Sequence, residues 1–112
     1  MINLDNKKFK TISNSENGAL SKDFIFHYKQ KGNILTCLYK GGDIVEGQLL
    51  GIIAEDNTIK MSYHQINKKD EINTGICFSN ILVQSNGKIK IEENWQWTSG
   101  DQSKGFSVLE EI

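Results

Sequence analysis

The stretch Ile89-Lys90-Ile91-Glu92-Glu93-Asn94-Trp95-Gln96-Trp97 sets Ile89, Ile91, Glu93, Trp95 and Trp97 at every second position, with Lys90, Glu92, Asn94 and Gln96 between them. A period of two marks a strand with one buried face, because successive side chains leave a pleated backbone on opposite sides. A helix would instead place its apolar residues at i, i+3 and i+4. The same alternation puts Phe24, Phe26 and Tyr28 on one side of an earlier run and Ile59, Met61 and Tyr63 on one side of another.

Working outward, turn signals recur at even intervals. They are Glu16-Asn17-Gly18, Lys31-Gly32-Asn33, Gly41-Gly42-Asp43, Glu55-Asp56-Asn57, Lys68-Lys69-Asp70, Ser85-Asn86-Gly87 and Ser99-Gly100-Asp101. Each supplies residues that tolerate positive φ or bond their own backbone. Between them lie runs rich in β-branched and aromatic residues, at 9–13, 23–30, 34–40, 44–53, 58–67, 72–83, 88–98 and 106–112. The expected fold is therefore all-β, with eight antiparallel strands in up-and-down order. Closure into a barrel is preferred, because it removes the unpaired edges of an open sheet. Gly47, Gly51 and Gly75 fall inside strands, where a coiled strand needs room to bend.

Composition narrows the functions. A chain of 112 residues is expected to form one domain, residues 1–112. No stretch approaches the ~20 apolar residues of a membrane span, and Met1 to Lys8 lack the apolar run of a signal peptide, so a cytoplasmic location is expected. In that compartment Cys37 and Cys77, both within alternating apolar runs, read as free core thiols. No CxxC or Cys/His cluster suggests a metal site, and no motif calls for a cofactor. The net charge is −1, and all 13 basic residues are lysine. Without arginine's planar fork, a phosphate clamp or specific nucleic-acid readout is not expected, and neither nucleic acid nor membrane figures among the expected partners.

Four strings carry a resemblance: Phe26-His27-Tyr28-Lys29-Gln30, Gly41-Gly42-Asp43-Ile44-Val45-Glu46-Gly47, Tyr63-His64-Gln65-Ile66-Asn67 and Trp95-Gln96-Trp97-Thr98-Ser99-Gly100-Asp101. Over nearly its whole length the chain resembles a family of small bacterial proteins often labelled N-acetylglutamate synthase and grouped as avidin-like barrels. The resemblance implies a barrel of the avidin or lipocalin kind and self-association into a homo-oligomer. It brings no catalytic residues to carry over. Acetyl transfer from coenzyme A normally uses a glycine-rich turn leading into a helix N-terminus that holds the pyrophosphate. Gly41-Gly42 lies between two strands, where a hairpin accounts for it better.

The candidate site follows from parity. Trp95 and Trp97 form an aromatic wall at one mouth, just before the polar loop that begins near Ser99. Tyr28 and Tyr63 end apolar runs and offer hydroxyls, and Glu93 shares the tryptophan face. Such a mixture of apolar walls and a few polar anchors suits a small ligand of unknown identity. Glu46, Glu93 and Glu110 each have apolar neighbours two residues away, so a buried carboxyl with a raised pKa is expected among them. By the same register His27 and His64 point outward. The leading expectation is a ligand-binding barrel. The rivals are a barrel enzyme that uses a buried glutamate with tyrosine or histidine, and an assembly protein.

Overall fold

The computed structural model describes residues 2–14 and 24–112; Asp23 and the turn expected at Glu16-Asn17-Gly18 lie outside them. Among the described residues every regular element is a strand. In chain order they are β1 (Lys8–Asn14), β2 (Ile25–His27), β3 (Lys29–Lys31), β4 (Ile34–Gly41), β5 (Ile44–Ile53), β6 (Thr58–Asn67), β7 (Ile72–Val83), β8 (Ile89–Trp97) and β9 (Lys104–Glu111).

All neighbours in the single sheet are antiparallel, in the order β2-β1-β9-β8-β7-β6-β5-β4-β3. The first and last strands of that order are consecutive in the chain, so the sheet curls round until its two edges nearly meet. This is the expected meandering barrel with one correction, nine strands in place of eight. The run expected at 23–30 divides at Tyr28. Its first half pairs with β1 through Phe9↔Phe26, and its second half pairs with β4 through Gln30↔Leu35. At the break the Tyr28 N–H donates to the Lys7 carbonyl at 2.9 Å, and the Tyr28 carbonyl accepts from the Asn6 N–H at 2.9 Å. One run thus serves both edges, and its backbone stays satisfied where it changes partner.

The links follow the turn chemistry. Gly32 and Gly42 take φ of 62° and 54° in two-residue hairpins, and Asn57, Asp70, Gly87 and Gly100 also adopt positive φ at the expected turns. Alternation holds along most of the sheet, as in β5 from Gly47 on, β7 from Gly75 on and the first half of β8.

The interior is layered. Leu4, Phe9, Leu35, Ile53, Ile59, Ile91 and Leu109, each at most 1% exposed, fill one end. Moving towards the other end, inward residues run in registered rows: Ile59–Ser79–Glu93–Ser107, then Met61–Cys77–Trp95–Gly105, then Tyr63–Gly75–Trp97. The apolar floor therefore gives way to a polar middle and then to an aromatic mouth. Both cysteines are buried and free, as expected.

Candidate functional site

The mouth is built by rings that sit over glycines. Tyr39 stands opposite Gly47, and Tyr63 opposite Gly75, in the strand register. A Cβ at either glycine would come within 2.3 Å of the facing tyrosine ring, so only glycine allows these rings to lie flat against the wall. Tyr63 meets Trp97 edge to face at 5.3 Å between ring centres, and Trp97 meets Trp95 at 6.2 Å. All three are half-buried. A second aromatic wall runs from Phe24 and Phe26, in contact with Tyr39 at 5.7 and 5.4 Å, to Tyr28 and Phe9, which meet at 5.3 Å.

Below the mouth lies Glu93. Its side chain is buried, and Oε1 accepts a hydrogen bond from Ser107 Oγ at 2.8 Å. Burial disfavours the charged form and pushes its pKa up to about 7, although the Ser107 bond pulls the other way. The field of Glu93 reaches groups on several other elements. It adds to the effect of burial in raising the Tyr28, Tyr39 and Tyr63 phenols and the Cys37 and Cys77 thiols, Cys37 to about 12. The carboxyl is thus the electrostatic focus of the interior.

Two buried hydroxyls in this region have no hydrogen-bond partner, Tyr28 Oη and Thr11 Oγ1. Gln84 Nε2, on the link between β7 and β8, also lacks one, whereas other polar groups of the interior are paired. Tyr39 Oη donates to Gln65 Oε1 at 3.1 Å, and Cys77 Sγ lies 3.4 Å from Ser79 Oγ. A buried hydroxyl without a partner forfeits about 1–3 kcal/mol, so Tyr28 Oη is a place where an additional polar group would be stabilising.

Of the residues singled out in the sequence, Tyr28, Tyr63, Glu93, Trp95 and Trp97 all face inward. Ser99 does something else: its Oγ accepts the Thr74 N–H at 3.0 Å and ties the loop after β8 to β7. His27 and His64 face outward as expected, beside Asn6 and Gln48. Of the three glutamates only Glu93 is buried. Glu46 is exposed because the β5–β6 register slips between Ile44 and Glu46, so Val45 and Glu46 both turn outward. Glu110 shares the outer side with Val108, while its neighbours Ser107 and Leu109 face in. Tyr39, Gln65 and Ser107 were not singled out. For Tyr39 and Gln65 the signal was available, since they share the parity of Cys37 and Tyr63; for Ser107 it was not, because only the β8–β9 register sets it beside Glu93.

Among the described residues no group of three His, Cys, Asp or Glu side chains could hold a metal ion, and no helix is long and apolar enough to cross a membrane. A family model described as "Avidin-like protein" matches residues 2–112. Neither a curated protein nor a solved structure gives a match.

Proposed function

The chain belongs to the avidin-like protein family, and from that premise we propose that it is a binding module. Its ligand is a small, partly apolar molecule that enters past Tyr63, Trp95 and Trp97 and sets its polar end against Glu93 and Tyr28. The observation that carries this reading is the Tyr28 hydroxyl, fully buried without a partner. A ligand that bonds to it recovers free energy that the empty protein forgoes. The aromatic walls add stacking surface for the ligand body. Acetyl transfer is not part of the proposal, because no helix among the described residues offers an N-terminus to a coenzyme A pyrophosphate.

A thermal-shift screen of metabolites tests it. At one hundred times its dissociation constant, a ligand specific for the native state adds about 2.7 kcal/mol, which for a domain near this size raises Tm by on the order of 10 °C. Trp95→Ala and Trp97→Ala proteins that remain folded should lose most of that shift. A hit whose binding survives both substitutions would remove the mouth from the site.

A second reading concerns the outer surface. On β4 to β7 the outward positions Ile34, Leu50, Ile52, Ile76 and Phe78 are 38–58% exposed and line a groove. Soluble monomers rarely expose more than ~300–600 Å² of contiguous apolar surface. Leu38, Ile66 and Ile72 add further exposed apolar side chains on the same strands. We therefore propose a second copy of the chain as its occupant. Sedimentation should find a dimer or higher oligomer that Phe78→Lys converts to monomer. A wild type that stays monomeric at high micromolar concentration contradicts this.

A further inference from the structure

The interior site, if it binds as proposed above, has a charge preference that its lining defines. We propose that its ligand is a small primary amine with an apolar or aromatic body, the ammonium group held by the Glu93 carboxylate and the Tyr28 hydroxyl.

Among the described residues Glu93 has no counterion. Every described lysine is exposed or half-buried, on outward positions, loops or turns, and both histidines face outward. Among the described residues, the groups that face the interior are Thr11 on β1, Tyr28 at the break between β2 and β3, and Cys37 and Tyr39 on β4. Tyr63 and Gln65 on β6, Cys77 and Ser79 on β7, and Ser107 on β9 complete the polar lining. β5 contributes Gly47, Leu49 and Gly51, which carry no charge. None of these is a cation. Glu93 is therefore a buried acid whose one hydrogen bond comes from a neutral hydroxyl. A buried carboxylate is retained at low cost only when paired.

The oxygens of the interior suit a group that only donates. An ammonium group has three N–H donors and no acceptor, so it needs oxygens around it. Glu93 supplies a carboxylate, and the vacant Tyr28 Oη supplies a further acceptor. Tyr63, Trp95 and Trp97 cluster edge to face at the mouth, and aromatic rings favour cations over anions. A carboxylate ligand would meet the Glu93 charge head on, and a neutral alcohol would leave it unpaired.

Protons compete with an ammonium group for the same carboxylate. Burial pushes the Glu93 carboxyl up to about 7, so below neutrality a proton already occupies the position that the ammonium group needs. Amine affinity should then be about tenfold weaker near pH 6 than near pH 8, and flat above that, since alkylamines stay protonated throughout.

The experiment uses a matched panel of primary amines, alcohols and carboxylates on butyl, phenethyl and naphthylethyl bodies, titrated calorimetrically into the full chain near pH 6 and pH 8. The expected result is that amines bind at least tenfold more tightly than the alcohols at pH 8, and carboxylates not measurably. That preference and its pH dependence should vanish in Glu93→Gln, with circular dichroism confirming the fold. If alcohols or carboxylates bind as well as amines, or if the preference persists in Glu93→Gln, the amine assignment is wrong while the binding site stands. If Glu93→Gln does not fold, a wild-type amine affinity that is flat from pH 6 to pH 8 overturns the assignment alone. If no member of the panel binds, the interior site itself is refuted along with its ligand class.

Discussion

Replacing Glu93 by Gln should remove a pH dependence of stability that the wild type carries. In the folded protein burial pushes this carboxyl up to about 7, from an ordinary value of 4.5. Between those two values the native state holds a proton that the unfolded chain has released. The contribution of Glu93 to stability is therefore greatest below about pH 4.5, falls as pH rises towards 7, and levels off above it. At ~1.36 kcal/mol per unit the full penalty is about 3 kcal/mol, of which about 2–3 kcal/mol develops between pH 5 and pH 8. Glu93→Gln keeps the shape of the side chain without the charge, so its unfolding free energy should lack that decline. The Tyr and Cys groups near Glu93 titrate above this range, and the remaining acids and histidines contribute equally to both proteins. Urea denaturation of the two proteins at about pH 5, 6, 7 and 8 isolates the effect as a difference. In thermal melts the two should diverge by roughly 10 °C as the pH rises. Parallel pH profiles would refute the reasoning and mean that Glu93 is solvated or paired in solution.

Gly75→Ala would push a Cβ to 2.3 Å from the Tyr63 ring, at a cost of about 1–3 kcal/mol; Tyr63→Leu in the same chain should recover most of it, and an additive double-mutant cycle would show that the ring does not rest on this glycine. Tyr28→Phe removes a buried hydroxyl without a partner, so the empty protein should gain up to about 1–2 kcal/mol in urea denaturation. A loss would mean that the hydroxyl is hydrogen-bonded in solution. Burial raises both thiols, Cys37 to about 12, so a disulfide reagent should titrate two thiols at once in denaturant and very slowly in the native protein; fast native labelling would show the barrel to be open at this level.

Parity made most of the fold and much of the site legible. Where a strand keeps its register throughout, as β6, β7 and β8 do, counting every second residue from Ile59 or Ile89 separates interior from exterior and leads to Tyr63, Glu93, Trp95 and Trp97. Two features were not legible because they depend on long-range pairing. The division of one run at Tyr28 leaves its alternation intact, since Phe26 and Tyr28 both still face inward; what changes is the partner strand, which no local pattern encodes. The slip at Val45 inserts one residue into an apolar alternating run and sends Glu46 outward, and nothing in Ile44-Val45-Glu46-Gly47 distinguishes that from regular strand. The polar middle layer was half legible. Glu93 stands out as an acid among isoleucines and tryptophans, whereas Ser79 and Ser107 look like ordinary strand serines until the register lines them up beside it.

We place the small-molecule site in the barrel interior, between the aromatic mouth and Glu93. The most direct test is a crystal structure of the protein saturated with the best hit of the thermal-shift screen. One molecule should lie inside the barrel, its body against Trp97 and Tyr63 and its polar group within hydrogen-bond distance of Glu93 and Tyr28 Oη. A hit that lies instead in the outer groove lined by Ile34, Leu50 and Phe78, with the interior unchanged, would contradict it.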